Sequence, residues 1–184
     1  AMLERYTLCY QAIEASTKPV VAAIHGVVMG GGLELALGCH YRVAVPGVQV
    51  SFPEVNIGLI PGGGGTQRMP RVLPLEMALQ MITGGASVAS DKLFKVPGQK
   101  LFDRLVEGDL LPGALAFAKE VAAVRPMPLV RDLAAPQPAD PDLFNKARAE
   151  QAKLRKGLVS PQRCIDAVEV ATQMDLDAGI DREL

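Results

Sequence analysis

The chain has 184 residues, of which 49% are hydrophobic and 21% are charged, and its formal net charge is −1 at pH 7. These values indicate one globular domain, long enough to bury about two thirds of its unfolded surface. A nearly neutral chain without tryptophan lacks the basic surface and the stacking platforms that nucleic-acid-binding proteins use. We therefore expect no nucleic acid partner.

The cysteines and the apolar runs exclude two further classes of protein. The cysteines are odd in number and widely spaced, at Cys9, Cys39 and Cys164. They fit neither a disulfide framework nor a zinc site, so we expect a reducing compartment and no metal. We recognise no signal peptide, and we expect no membrane span because no apolar run has the length of a transmembrane helix.

The first predicted elements are a helix and a strand. Apolar side chains recur at helical spacing over residues 3–15, at Leu3, Tyr6, Tyr10 and Ile13. Pro19 lies just beyond this helix and favours its end. Residues 20–24 are apolar, rich in β-branched side chains and bounded by Pro19 and Gly26, which predicts a short buried strand.

A glycine cluster follows this strand. Residues 30–32 are all glycine and precede good helix formers over residues 33–37, among them Glu34. A strand, a glycine turn and a helix start leave backbone N–H groups free, and glycine allows a ligand to approach them closely. Such a site suits an oxygen that gains negative charge during a reaction.

A second glycine cluster repeats this arrangement. Residues 48–52 predict a strand, Pro53 and Glu54 break it, and the glycines at 62–65 lead into Thr66. No Gly-Lys-Ser/Thr follows, so the cluster is not a phosphate-binding P-loop. Its spacing does not match a dinucleotide-binding fingerprint either.

Taken in order, these segments resemble one family. The sequence runs Pro-Val-Val-Ala-Ala-Ile-His-Gly, then Gly-Gly-Gly-Leu-Glu-Leu-Ala, then Phe-Pro-Glu-Val-Asn-Ile-Gly-Leu-Ile-Pro-Gly-Gly-Gly-Gly-Thr-Gln-Arg. This order resembles the enoyl-CoA hydratase/isomerase (crotonase) family almost without a gap over residues 18–71. The resemblance implies an α/β, crotonase-like (ClpP/crotonase) fold, which is a spiral of strand–strand–helix repeats with a helical C-terminal region.

The same resemblance implies roles for four residues. Glu34 and Glu54 would be the catalytic glutamates, the N–H of Gly31 would form half of an oxyanion hole, and the N–H of Gly62 would lie near the catalytic water. Two carboxyl groups in an apolar surrounding can hold one water between them and share the proton transfers. That the two glutamates meet in space is implied by the resemblance alone. The residues that bind coenzyme A stay unassigned.

The implied function is the reversible addition of water to a 2-trans-enoyl-CoA, which gives a 3-hydroxyacyl-CoA in fatty-acid β-oxidation. A shift of a 3-enoyl to a 2-enoyl double bond is a second implied reaction, in which Glu54 would move the proton. The coenzyme A thioester would be the substrate, and no metal or redox cofactor is implied. Two alternatives stay open: another reaction of the family, such as decarboxylation or thioester hydrolysis, and a binding or assembly module that lacks catalysis.

Single residues also have plainer interpretations. A glutamate in the first turn of a helix is favourable with the helix dipole, and glycine clusters commonly mark turns, so only the ordered combination favours catalysis. We expect His25 to be a core or turn residue, Arg68 to form a structural ion pair and Cys39 to lie in the core. His40 stands where family members usually carry an acidic residue, and we interpret it as a structural or solvent-edge change.

Further helices are predicted along the rest of the chain, over residues 75–82, 113–124 and 162–174 and from Asp142 onward. Residues 63–73 predict the start of a helix that Pro70 interrupts. Residues 94–100 are basic and fit the family poorly, which predicts a loop-like insertion.

The predicted organisation has three parts. Residues 1–125 form a crotonase-like core, residues 126–141 a proline-rich linker, and residues 142–184 a helical C-terminal region. Residues 106–118 and 160–184 narrow the resemblance to the hydratase part of multifunctional fatty-acid β-oxidation enzymes. It implies a dehydrogenase part in the full-length protein, a homo-oligomer, and a location in the bacterial cytoplasm or, in a eukaryote, the peroxisome.

One departure from the family affects the expected activity. Family members carry an earlier segment that supplies the other oxyanion N–H and much of the coenzyme A pocket. No counterpart precedes Ala1 in this sequence. We therefore expect weak or no hydratase activity from these residues alone.

Overall fold

The computed structural model describes the backbone of residues 2–183 and the side chains of residues 8–183. The first half of the chain contains helix α1 (Met2–Glu14), strands β1 (Val21–Ile24) and β2 (Val27–Met29), helix α2 (Gly31–Gly38), strands β3 (Tyr41–Ala44) and β4 (Gln49–Ser51), a 3₁₀ helix (Pro53–Ile57), and helices α3 (Gly65–Val72) and α4 (Leu75–Gly84). The predicted apolar positions Leu3 and Tyr6 lie outside the described side chains.

The second half is mostly helical. It contains strand β5 (Val88–Ala89), helix α5 (Ser90–Phe94), strand β6 (Arg104–Leu105), helix α6 (Leu110–Val121), a 3₁₀ helix (Val130–Asp132), and helices α7 (Leu143–Leu154), α8 (Ser160–Ala171) and α9 (Leu176–Glu183). Residues 95–100 lie outside helices and strands, as the predicted loop requires, and the N–H of Lys100 donates to the carbonyl oxygen of Val72 at 2.7 Å.

The strands form two three-stranded sheets. In the first sheet β3 lies between β1 and β6, all three are parallel, and Val21 pairs with Tyr41. In the second sheet β4 lies between β2 and β5, parallel to β2 and antiparallel to β5. The unit β1–β2–α2 contributes one strand to each sheet and then a helix, and the unit β3–β4–α3 does the same. This is the predicted strand–strand–helix repeat.

The sequence predicts β1 and β4 but not the other strands. Strands β2, β5 and β6 contain only two or three residues. A run of that length is too short for an alternating pattern to be recognised. Strand β3 is buried along its whole length, so it shows no alternation between polar and apolar residues either.

Two helix predictions are wrong in detail. Helix α3 continues through Pro70 to Val72. The proline lies near the C-terminal end, so its missing N–H removes only one of the last intrahelical bonds of a fully buried helix. Helix α6 begins at Leu110 instead of residue 113, because the Asp109 carboxylate accepts the N–H of Leu111 at 3.1 Å and caps the helix there.

One hydrophobic core connects both halves of the chain. It contains large buried side chains from α2, β4, α3, α4 and α8, among them Leu33, Phe52, Met69, Ile82 and Ile165. Val130, from the predicted linker, and Phe144, from α7, pack into the same core. The C-terminal helices therefore contact the body that carries the two glycine clusters. The boundaries of the three predicted parts stay a prediction.

Candidate active site

Helix α2 follows Gly30, whose backbone conformation is rare for residues other than glycine. Gly30 has φ 53° and ψ −133°, a conformation that favours glycine. Its N–H donates to the carbonyl oxygen of Ser51 at 3.2 Å. This bond ties the N-terminal end of α2 to the end of β4. Glu34 lies in the first turn of the helix and is only 4% exposed.

The Glu34 carboxylate binds the second glycine cluster. Its Oε1 accepts the N–H of Gly63 and the N–H of Gly65, each at 2.8 Å. A methyl group at Gly63 would lie 2.5 Å from Glu34 Oε2, and one at Gly65 would lie 2.8 Å from Oε1. A residue with a side chain could not approach the carboxylate this closely, which explains the glycines at both positions.

Glu54 reaches the same place from the other side. It lies on the 3₁₀ helix that follows β4, and a methyl group at Gly30 would lie 2.7 Å from its Oε1. A methyl group at the next residue, Gly31, would lie 4.0 Å from Glu34 Oε2. Because Gly30 and Gly31 are adjacent, both carboxyl groups lie beside the N-terminal end of α2, and the charge of Glu34 acts on Glu54.

Burial raises the pKa of both carboxyl groups. For Glu34 the N–H bonds from the glycine cluster and the charge of Arg68 oppose this effect. The pKa of Glu54 is raised by its burial and further by the charge of Glu34, against a bond from its own N–H. Glu54 Oε2 is buried and has no hydrogen-bond partner among the described residues. When two carboxyl groups lie this close, the charge of one disfavours ionisation of the other.

The two predicted backbone donors lie at the edges of this site. Gly31 is the exposed first residue of α2, where an N–H group has no acceptor within the helix. Gly62 lies half-buried before α3 and lines a cavity of 20 Å³ with Tyr10 and Arg68. A cavity of that size holds about one water molecule. The roles of Gly31 and Gly62 stay predictions.

Arg68 forms the predicted structural ion pair. Its side chain is 2% exposed, its guanidinium lies 3.2 Å from Glu14, and it stacks over the ring of Tyr10 at 5.0 Å. Glu14 also pairs with Arg131 at 2.8 Å, and Arg131 pairs with Asp177 at 2.6 Å. This network joins α1, α3 and α9 around the glycine cluster.

The histidines and Cys39 lie apart from the two glutamates. His25 is exposed between β1 and β2, as expected for a turn residue, and Cys39 is buried, as predicted. The solvent-edge interpretation of His40 is wrong, because its side chain is 1% exposed. Its Nδ1 accepts the N–H of Val20 at 3.1 Å, a structural contact, and burial lowers its pKa so that it stays neutral.

Among residues 8–183, no group of three or more His, Cys, Asp and Glu side chains is placed to hold a metal ion. Within the described backbone, no helix is both long and apolar enough to cross a membrane.

Sequence reasoning missed a third buried carboxylate, Glu183 on α9. It is 8% exposed, and its Oε1 accepts the N–H of Gly64 at 2.7 Å. Its Oε2 accepts the hydroxyl of Thr66. The one local signal is Gly179, four residues earlier on the same helix face, where a side chain would collide with Gln67.

Comparison with known proteins gives the family. Residues 1–141 match the enoyl-CoA hydratase/isomerase family. The peroxisomal bifunctional enzymes of Homo sapiens and Danio rerio are 38% and 40% identical to the chain over 174 and 175 residues. The peroxisomal fatty acid beta-oxidation multifunctional protein of Oryza sativa subsp. japonica is 37% identical over 177 residues. These alignments cover 93%, 94% and 93% of this chain but 24% of each relative, so the chain spans about a quarter of their length.

Solved structures with the same fold confirm the predicted crotonase-like architecture. A carnitinyl-CoA dehydratase from Mycobacterium thermoresistibile superimposes with a TM-score of 0.65 at 23% identity, over 98% of this chain and 59% of the other. An enoyl-CoA hydratase from Polaromonas sp. JS666 gives a TM-score of 0.60 at 25% identity, over 96% and 63%. The chain belongs to the enoyl-CoA hydratase/isomerase family.

Proposed function

We propose that this chain carries an enoyl-CoA hydratase site, which adds water reversibly to a 2-trans-enoyl-CoA to give a 3-hydroxyacyl-CoA in fatty-acid β-oxidation. The observation that carries the proposal is the meeting of Glu34 and Glu54 at the N-terminal end of α2. Hydration needs two such groups, because the oxygen of water bonds to C3 of the substrate while a proton must reach C2.

The hydrogen bonds of the two carboxyl groups suggest which one carries the charge. Two N–H donors favour the ionised form of Glu34. Glu54 has a raised pKa and an unpartnered Oε2, which favours its protonated form. Glu34 would accept a proton from water as the bond from oxygen to C3 forms, and Glu54 would donate its proton to C2. The substrate gains one water, and the two carboxyl groups together keep one proton.

Backbone donors would assist both halves of the reaction. Negative charge develops on the thioester oxygen, and the N–H of Gly31 lies at the positive end of α2. Removal of one such donor costs about 3 kcal/mol of transition-state stabilisation in other enzymes. The N–H of Gly62 would hold the water, next to a cavity with room for about one molecule.

The unpartnered oxygen of Glu54 also favours a second reaction, the shift of a 3-enoyl to a 2-enoyl double bond. A single carboxylate can remove a proton from C2, which leaves a dienolate, and then return the proton to C4. Glu54 suits this role, because none of the described residues binds its Oε2. Glu54 must start ionised for this reaction, so the one proton of the pair would reside on Glu34.

The cellular location and the rest of the full-length protein are also proposals. The relatives described above are named as peroxisomal and as bifunctional or multifunctional. We propose the peroxisome as the location in a eukaryotic host, and a dehydrogenase part in the full-length protein that oxidises the 3-hydroxyacyl product. The cytoplasm of a bacterium, and a homo-oligomeric state, stay expectations.

The experiment that tests the proposed function follows crotonyl-CoA. Hydration removes the absorbance of the conjugated thioester. The control for Glu34→Gln and Glu54→Gln is Glu76→Gln, which makes the same change at an exposed carboxylate. We expect weak turnover in the parent, because these residues alone lack the other oxyanion donor, and the same rate in Glu76→Gln. A thermal-shift titration with acetoacetyl-CoA distinguishes the alternatives: a folded parent that binds this ligand without hydrating crotonyl-CoA would support a binding module. Release of free coenzyme A thiol would support a thioester hydrolase.

A further inference from the structure

The glycine loop, defined here as residues 62–66, is bound by a carboxylate on each side. Glu34 takes the N–H groups of Gly63 and Gly65 at 2.8 Å, and Glu183 takes the N–H of Gly64 at 2.7 Å. Glu183 also accepts the hydroxyl of Thr66. Successive N–H groups of the loop therefore donate alternately to Glu34 and to Glu183.

Other residues of α9 also dock the helix. Gly179 packs directly against Gln67, and a methyl group at Gly64 would lie 3.3 Å from Cδ1 of Ile180. Asp177 joins the same helix to Arg131 at 2.6 Å. These contacts dock α9 on the glycine loop and on α3, so the buried carboxylate at the end of the helix calls for another explanation.

The surroundings of Glu183 are poor in compensating charge. Within the described part of the chain no ion pair reaches its carboxylate, although the side chain is 8% exposed. The titratable and charged groups that face it, or line the cavity beside it, are Glu34 on α2, Arg68 on α3, Cys164, Arg163 and Asp166 on α8, and Arg182 on its own helix. Its bonds to the glycine loop are thus the main contacts that offset its burial.

We propose that Glu183 is a positioning residue for the catalytic carboxylate Glu34. Glu183 accepts the N–H of Gly64 on the side of the loop away from Glu34. This contact keeps the N–H groups of Gly63 and Gly65 directed at Glu34 Oε1. The placement of Glu34, and of the Gly62 N–H at the start of the same loop, then depends on α9. The kinetic consequence rests on the proposed hydratase function, whereas the structural consequence does not.

Glutamine can replace Glu183 in both contacts. Its carbonyl oxygen accepts the N–H of Gly64, and its amide group donates to Oγ1 of Thr66. Alanine removes both contacts. The pKa of Glu183 is raised to about 7, chiefly by burial and also by the charge of Glu34, while the Thr66 and Gly64 bonds and the charge of Arg68 oppose the shift. Glu183→Gln therefore keeps the geometry and removes a charge that titrates near neutral pH.

The first test measures backbone amides and needs no substrate. In Glu183→Ala, we expect the amides of Gly63 and Gly65 to exchange with solvent about tenfold faster. We expect Glu183→Gln, and the exposed control Asp181→Ala, to keep parental exchange rates. Unchanged exchange of both amides in a folded Glu183→Ala would overturn the proposal.

The second test measures hydration of crotonyl-CoA. We expect Glu183→Ala to lose kcat by about 10–100-fold with KM within about threefold, and Glu183→Gln to retain kcat. A loss of kcat at nearly constant KM that glutamine rescues is not expected of a merely structural residue. A loss in Glu183→Ala that Glu183→Gln does not rescue would contradict positioning. A parent that shows the amide effects but no hydration overturns the proposed function and leaves the positioning role intact.

Discussion

Glu34 and Glu54 meet at one helix terminus, yet their surroundings differ. Glu34 lies on an α-helix, is 4% exposed and accepts two N–H groups on one oxygen. Glu54 lies on a 3₁₀ helix, is partly exposed, and has a buried oxygen without a partner among the described residues. Backbone donors, in addition to burial, therefore distinguish two like groups, and under the proposed mechanism they would make Glu34 the base and Glu54 the acid.

The largest expected effect follows from removing either carboxylate as a proton-transfer group. Glu34→Gln and Glu54→Gln should each lower kcat for crotonyl-CoA by about 10²–10⁴-fold, the usual worth of a general acid or base. Glutamine at position 34 still accepts the N–H groups of the loop, so that loss is chemical rather than structural. Circular dichroism checks the fold, and Glu76→Gln is the control. Two variants within about tenfold of the parent would show that neither carboxylate moves a proton.

The next effect comes from displacing Glu54 without changing it. A methyl group at Gly30 would lie 2.7 Å from Glu54 Oε1, whereas one at Gly26 would meet no atom within 4 Å. Both glycines have positive φ, 53° and 65°, so both alanine variants carry a backbone strain of about 1–3 kcal/mol. Only Gly30→Ala should also lower kcat, by about 10–100-fold. Equal kcat values in the two variants would contradict the placement of Glu54 over Gly30.

A stability measurement compares the two carboxylates directly. Glu34→Ala leaves the N–H groups of Gly63 and Gly65 without their acceptor, which should lower the free energy of unfolding by about 2–3 kcal/mol. Glu54→Ala removes a buried oxygen that has no described partner, so its effect should stay within about 0.5 kcal/mol. Urea unfolding measures both values. Equal losses would contradict the difference in hydrogen bonding.

The smallest effect concerns pH. The pKa of Glu54 is raised from 4.5 by burial, so the folded chain binds this proton more tightly than the unfolded chain does. Its contribution to stability therefore falls as pH rises from about 4.5 through the folded pKa. Glu54→Gln should raise the Tm by about 1–3 °C at pH 8 and leave it unchanged at pH 4. A gain confined to pH 4 would reverse the sign of the inferred shift.

Local chemistry explains which parts of the site the sequence could predict. The turn at residues 30–32, the start of α2 and the strand before Glu54 follow from glycine, helix-forming and β-branched residues close together in the chain. The contact of Glu34 with Gly63 spans 29 positions, and that of Glu183 with Gly64 spans 119. The periodic pattern of apolar residues in a sequence cannot reveal contacts between residues so far apart in the chain. The pairing of the two glutamates was therefore expected only from the family resemblance.

The errors along the chain have the same origin. Pro70 predicts an interruption because propensity treats a helix as isolated, whereas α3 is buried on all sides and tolerates one lost bond. The sequence predicts a solvent-edge position for His40, whereas its ring accepts the N–H of Val20, just before β1, and is buried. Tertiary contacts decided both cases.

The most direct test of the paired site is the double variant Glu34→Gln with Glu54→Gln in the crotonyl-CoA assay. If both groups act on one water, either single change already disables the unit, and the double variant should lose about as much kcat as the worse single variant. A double variant whose loss equals the product of the two single losses would show two independent groups. That result would contradict the shared-water mechanism.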